Sequence, residues 1–201
     1  MKYIAIDIET GGLGPNAALL EVGAVYDDGE SDIDDLPTFN GVFIPDNGRF
    51  NGEFESGALA MHIKSGLIHA ILDYSEVDVE HKNFTDFYTP HPNLMWNRYS
   101  RWVEEHCEGC RNYAGKNAAG FDLPFLNRFG FGDAIRPKHR VLDVGALYAP
   151  LAAARGMSWI PNLTECLEIA GIRNESVTHH AVDDCRAVVA AVRHVLNRVS
   201  K

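Results

Sequence analysis

Tyr3-Ile4-Ala5-Ile6-Asp7-Ile8-Glu9-Thr10-Gly11-Gly12 is the stretch from which the fold of this chain is read. Ile4, Ile6 and Ile8 alternate with Tyr3, Ala5, Asp7 and Glu9, the period of two that marks a β-strand. Asp7 and Glu9 therefore point to one face, at the end of the strand, just before the turn Gly11-Gly12-Leu13-Gly14-Pro15. Two adjacent carboxylates repel, and a hard divalent cation held by their oxygens relieves the repulsion. A pair of solvated acids on an edge strand is the competing reading of an isolated D-x-E.

Outward from this strand, Leu19 to Tyr26 and Thr38 to Ile44 read as two more strands, the first closed by Asp27-Asp28-Gly29-Glu30 and the second by Pro45. Ser56 to Asp73 reads as one helix, residues 74–92 as an acidic, insertion-like loop, and Leu94 to Cys107 as a helix. Asn112 to Lys116 and Arg140 to Leu142 are short strands. Asp122 to Phe129, a helix from Val144 N-capped by Asp143, Leu163 to Ala170 and Ala181 to Val199 are helices. Strands first, then alternating short strands and helices, make an α/β sandwich. With no internal repeat and no Gly/Ser linker, residues 1–201 are expected to form a single domain.

Composition narrows the function classes. The chain has 201 residues, 46% hydrophobic and 23% charged, which excludes disordered and low-complexity chains. No apolar run reaches the roughly 18 residues of a membrane span. Asp7 interrupts the stretch that a signal peptide would keep apolar, so a cytoplasmic protein without a membrane partner is expected. The four cysteines are too few for a disulfide scaffold; Cys107 and Cys110 form a lone C-x-x-C without the second pair of a zinc site, and ordinary thiols are the better reading. The net charge of -10 is uneven: -2 over residues 1–26, -12 over 27–108 and +4 over 109–201. A protein that coats long nucleic acid carries a basic stripe. This chain has none, and it has no Gly-rich phosphate loop of the G-x-x-x-x-G-K-[ST] kind.

Two further segments carry chemistry. In Asn117-Ala118-Ala119-Gly120-Phe121-Asp122, the acid opens a helix, where the dipole favours an anion. In His179-His180-Ala181-Val182-Asp183-Asp184, a histidine just before a helix and an acid one turn inside it are placed to address one site. Taken singly, an N-cap carboxylate and a solvated helix start account for both.

Together with Asp7-Ile8-Glu9-Thr10-Gly11-Gly12, in this order and on these elements, the segments resemble the DEDDh family of 3′-to-5′ exonucleases, which includes ribonuclease T, oligoribonuclease and polymerase proofreading subunits. Val141-Leu142-Asp143-Val144 and Leu163-Thr164-Glu165-Cys166-Leu167 through Gly171-Ile172 are similar to the elements flanking the later motifs, and His62-Ile63-Lys64-Ser65-Gly66-Leu67 to an oligoribonuclease segment. The likeness covers residues 1–26 and 110–199 and fits 27–109 poorly.

The resemblance implies a ribonuclease H-like fold, a mixed five-stranded sheet with helices on both faces. It implies that Asp7, Glu9, Asp122 and Asp184 hold two divalent ions, Mg²⁺ or Mn²⁺, and that the enzyme hydrolyses single-stranded DNA or RNA from the 3′ end to 5′-mononucleotides. His179 is the implied general base, since imidazole titrates near neutral pH. The family spacing H-x-A-x-x-D fits His179 and Asp184; a register on His180 or Asp183 is the alternative. Thr10 and Leu13 are candidates to hold the terminal nucleotide, Asn117 to support the metal side, and Lys116, Arg136, Lys138 and Arg140 to meet phosphate; turn chemistry, packing and solvated surface are their competing readings. Two other functions fit the same residues: an oligoribonuclease-like enzyme confined to very short RNA, and a catalytically silent nucleic-acid-binding or scaffold protein. DNA against RNA, oligomeric state (a homodimer included) and any polymerase or repair partner are not legible in the sequence.

Overall fold

The computed structural model describes residues 1–75, 86–134, 137–138, 141–172 and 178–199. The opening strand β1 (Tyr3–Thr10) pairs antiparallel with β2 (Leu19–Asp27), Asp7 opposite Gly23 and Glu9 opposite Glu21. β3 (Thr38–Phe43) continues antiparallel on β2, and β4 (Asp86–Thr89) lies parallel to β3 at the sheet edge. On the other side of β1 follow β5 (Tyr113–Gly115) and β6 (Val141–Asp143), both parallel, so the order is β4-β3-β2-β1-β5-β6.

The sheet therefore has six strands, where five were expected. The extra one is β4, inside the 74–92 stretch read as loop. It is four residues long, at the edge and closed by Pro90, too short to show a period. Residues 76–85 of that stretch, and Arg136 and Arg140, lie outside the described residues. The expected helix over 56–73 is two, α1 (Ser56–Ser65) and α2 (Leu67–Ser75). Gly66 between them has φ +88, a left-handed conformation that glycine adopts without penalty, and its N–H closes α1 on Ile63 O.

Helices cover both faces. The isoleucine face of β1, with Val22, Ala24 and Tyr26 of β2, packs against α3 (Pro92–His106), α4 (Asp122–Arg128) and α5 (Phe131–Ala134). Here α3 buries Met95, Trp96, Tyr99, Trp102 and Val103 among Phe39, Phe43, Tyr113 and Phe131. The opposite face, carrying Tyr3, Ala5 and Val25, packs against α6 (Val144–Ala154), α7 (Leu163–Ala170) and α8 (Ala181–Val199). Full burial of such side chains stabilises by about 1.5–3 kcal/mol each before entropy is charged against it. As expected, Asp143 caps α6, accepting the Ala146 N–H at 2.7 Å.

α8 is what brings the third motif to the first. Its valines and alanines at 187–192 bury against the Tyr3/Ala5 face, and Arg193 forks onto buried Asp27 at the far end of β2, with Nη2 2.6 Å from Oδ1. At its other end the helix start lies directly on β2: a Cβ at Gly23 would stand 2.5 Å from the Ala181 carbonyl oxygen and from Val182 N. Only a residue without a side chain allows this approach. Gly23→Ala should lower stability by about 1–3 kcal/mol, as overpacking does, and lift the start of α8 away from β1. Thermal melting checks this; an unchanged midpoint would mean the contact is loose.

Candidate active site

Asp7 and Glu9 share the α8 face of β1, Asp7 half-buried and Glu9 buried. Asp122 reaches them from the start of α4. β5 ends at Gly115, which leaves the next backbone donors of β1 without a strand partner on that side, and Asp122 Oδ1 accepts the Ile8 N–H at 3.2 Å. Asp184, one turn into α8, accepts the Thr178 N–H at 3.0 Å. His179 joins them: donor atoms of Glu9, His179 and Asp184 fall within 4.8 Å of one another. His179 holds φ +59, a left-handed conformation rare for a residue with a Cβ and of the kind that collects at functional sites.

The other histidine and the other acid of the third motif go elsewhere. His180 directs Nε2 to Ser65 O at 3.3 Å and Nδ1 to Glu21 at 3.9 Å. Asp183 is exposed and meets Thr178 Oγ1 and Arg186. The geometry thus places His179 and Asp184, not His180 and Asp183, on the β1 carboxylates.

Crowding sets the electrostatics. Burial raises Glu9 to about 8, helped by the charges of Asp184, Glu21 and Asp122. Burial likewise lifts Asp122 to about 7 and Asp184 to about 6. Asp7 is held well above the usual carboxylate range by burial and then by Asp122, Glu9, Asp184 and Glu21. A set of oxygen donors that cannot all ionise alone is what a divalent cation neutralises. Asp7, Glu9, Asp122 and Asp184 fit that group by donor chemistry, with a ring nitrogen of His179 within 4.8 Å of carboxylate oxygens of Glu9 and Asp184.

Three further residues border the site: Glu21 and Glu55, which no motif names, and His62, the first residue of the segment similar to oligoribonucleases. Glu21, opposite Glu9, accepts the Ala181 N–H at 2.9 Å and so caps α8 across the sheet. Its signal was a lone acid inside the apolar run of β2. His62, fully buried in α1, donates Nε2–H to Thr10 O at 2.9 Å and stands 3.7 Å from Glu9. Glu55 left no signal; its Oε1 accepts the N–H groups of Leu13 and Gly14, both at 3.0 Å.

The proposed substrate contacts are placed unequally. Leu13 is 78% exposed on a loop fixed by Glu55 on one side and by Arg128, which donates to Pro15 O, on the other. Thr10 is buried and spends its hydroxyl proton on Gly12 O at 2.8 Å. Asn117, at φ +60, donates its N–H to Asp143 Oδ2 at 2.6 Å. The Lys116 stem rests on Gly145 at the start of α6, and exposed Lys138 donates its N–H to Arg111 O. Cys107 is buried against α3, and Cys110 Sγ lies 3.6 Å from Lys2 O.

No protein-family profile and no curated protein matches this chain. Solved structures do. Pop2p of S. pombe, in a form with Mg²⁺ and Mn²⁺ bound, superposes with TM-score 0.60 at 11% identity, over 98% of this chain and 83% of that one. E. coli exonuclease I in complex with an oligonucleotide superposes with TM-score 0.54 at 15% identity, over 98% of this chain and 40% of that one. The chain shares the ribonuclease H-like fold with these two structures.

The crowding has a measurable consequence. An unfolded carboxylate titrates near 4, whereas Glu9, Asp122 and Asp184 in the folded chain hold protons up to about 8, 7 and 6. The folded state binds more protons, so their contribution to stability is complete below about pH 4 and is lost as pH rises through 6 to 8. Asp28, lowered to about 2 by its bond from Ser31, stays ionised throughout and does not interfere. In chelator the melting midpoint should fall by about 5 °C or more between pH 5 and 8.5, and Mg²⁺ or Mn²⁺ should restore more of it at 8.5 than at 5. A midpoint that rises with pH in chelator contradicts the crowding.

Proposed function

We propose that this protein is a metal-dependent 3′-to-5′ exonuclease that hydrolyses single-stranded nucleic acid to 5′-mononucleotides. The observation that carries the reading is the meeting of Asp7, Glu9, Asp122 and Asp184 from three separate elements beside His179. The metal-bound form of Pop2p and the oligonucleotide on exonuclease I, on the same fold, support it.

The four carboxylates are the ligands of the proposed ions. Bound there, two divalent ions would lower the pKa of a water, stabilise the leaving oxygen and offset charge on the phosphodiester. His179 takes the proton of the attacking water, whose oxygen bonds to phosphorus as the bond from phosphorus to the 3′-oxygen breaks. The departing oxygen takes a proton from solvent, leaving a 3′-hydroxyl on the shortened strand and the phosphate on the released nucleotide's 5′-oxygen. Thr178 orients Asp184 through its N–H, and Ile8 does the same for Asp122. Leu13, fixed by Glu55, offers an apolar surface to the terminal base, and Thr10 shapes the loop beneath it. Asn117 sets the turn that leads into Asp122.

Confinement to very short RNA is a second reading, and one observation favours it. The His62–Leu67 segment that resembles oligoribonucleases packs on the site, with His62 against Thr10 and Glu9.

Labelled single-stranded DNA, RNA and dinucleotides incubated with Mg²⁺ or Mn²⁺ should shorten one nucleotide at a time from the 3′ end. Chelator should abolish turnover, as should Asp7→Ala, Glu9→Ala, Asp122→Ala and Asp184→Ala, each remaining folded. Full activity in excess chelator would overturn the reading. Under single turnover His179→Ala should be slower by about 10²–10⁴-fold and His180→Ala far less affected; the reverse order would move the base to His180.

A further inference from the structure

The segment joining α6 to α7 exposes two large apolar side chains in succession, Trp159 at 58% and Ile160 at 62%. The other two tryptophans, Trp96 and Trp102, are buried. Trp159 is held in place: its Nε1–H donates to Glu165 Oε1 at 3.1 Å, and Glu165 also accepts the Asn162 N–H at 2.8 Å in the capping box of α7. Ile160 belongs to a packed junction. A Cβ on Gly145, in the first turn of α6, would stand 2.9 Å from Ile160 Cγ2, from Lys116 Cε and from Pro161 O. An immobilised indole, an aliphatic surface and a lysine are thus grouped around the start of α6.

Their position relates them to the carboxylates. β1, β5 and β6 are parallel neighbours, so the C-terminal ends of β5 and β6, from which Lys116 and α6 depart, lie at the end of the sheet where β1 presents Asp7 and Glu9. With neighbouring strands about 4.8 Å apart, β6 is about 10 Å from β1.

We propose that Trp159, Ile160 and Lys116 form a subsite for the substrate strand upstream of the bond to be cut, the indole stacking on a nucleobase and the lysine facing the backbone. This rests on the exonuclease reading. The occupant follows from chemistry: a fixed, exposed aromatic beside a cation is the means of holding single strands without reading their sequence. It also suits a chain of net charge -10, which cannot hold a polyanion by charge alone.

The test uses the Asp122→Asn form with Mg²⁺, which binds without cutting, titrated with strands from two to about ten nucleotides. Tryptophan emission and the anisotropy of an end label are read together. Trp159 is the only exposed tryptophan of the three, so binding of the longer strand should quench emission, and Trp159→Ala should remove the quenching. The same variant should weaken the longer strand about tenfold, the loss of one stacked base, and the dinucleotide by less. Trp159→Phe should restore most of the affinity, and Lys116→Ala should flatten the slope of log affinity against log salt by about 0.7. A bound strand that leaves emission unchanged, or equal loss at both lengths, overturns the subsite. Hydrolysis by wild type with full affinity in Trp159→Ala sinks the subsite alone; tight, quenching binding to the Asp122→Asn form with no hydrolysis by wild type sinks the exonuclease reading and leaves the subsite. No strand binding at all sinks both.

Discussion

The crowding of carboxylates into a poorly solvated place at the end of β1 is the constraint on which the rest of the structure depends. Asp7 and Glu9 share a face because a strand repeats every two residues, and Asp122 and Asp184 are brought to the same place by α4 and α8. Burial raises all four, and at Asp7 and Glu9 the neighbouring carboxylates raise the group further. Folding without a cation therefore requires that protons be retained, and stability must come from elsewhere in the molecule.

It comes from the two faces of the sheet and from how α8 is tied at both ends. At one end Gly23 lets Ala181 rest on β2, where Glu21 takes the Ala181 N–H. At the other, Arg193 is paired with buried Asp27. The length between carries Val188, Val189 and Val192 into the core. This arrangement fixes where Asp184 stands, and the left-handed turn at His179 delivers the imidazole beside it. The loop after β1 is fastened separately, by Glu55, His62 and Arg128, so that Leu13 stays exposed on a rigid support.

What the sequence made legible follows from how local each signal is. The alternation over Tyr3–Glu9, the apolar positions of 181–199 and the cap at Asp143 are local patterns, and the structure carries all three. β4 has four residues at an edge and no pattern of its own; its place depends on β3. The break of the 56–73 helix was written in Gly66, which a helical period of apolar residues on both sides concealed. Glu21 shows in the sequence only as a lone acid in an apolar run, and Glu55 not at all, for a different reason. Their partners are 160 residues away for Glu21 and 41 to 42 residues before it for Glu55, and no spacing announces a pairing across the sheet or across a loop. For the site, the family spacing that the resemblance implies pointed to His179 and Asp184, and the two neighbours turn to Glu21, Ser65 and Arg186 in the fold.

The central claim is that the carboxylate cluster is protonated when empty and becomes ionised on taking up divalent metal. Calorimetric titration of the protein with Mn²⁺ near pH 6.5, in two buffers of different ionisation enthalpy, counts the protons released. Because Glu9 and Asp122 titrate at about 8 and 7 and Asp7 also lies high, uptake of metal should release about one proton or more per chain. Binding with no proton release would mean that the carboxylates are already ionised or do not hold the metal, and the account would fail.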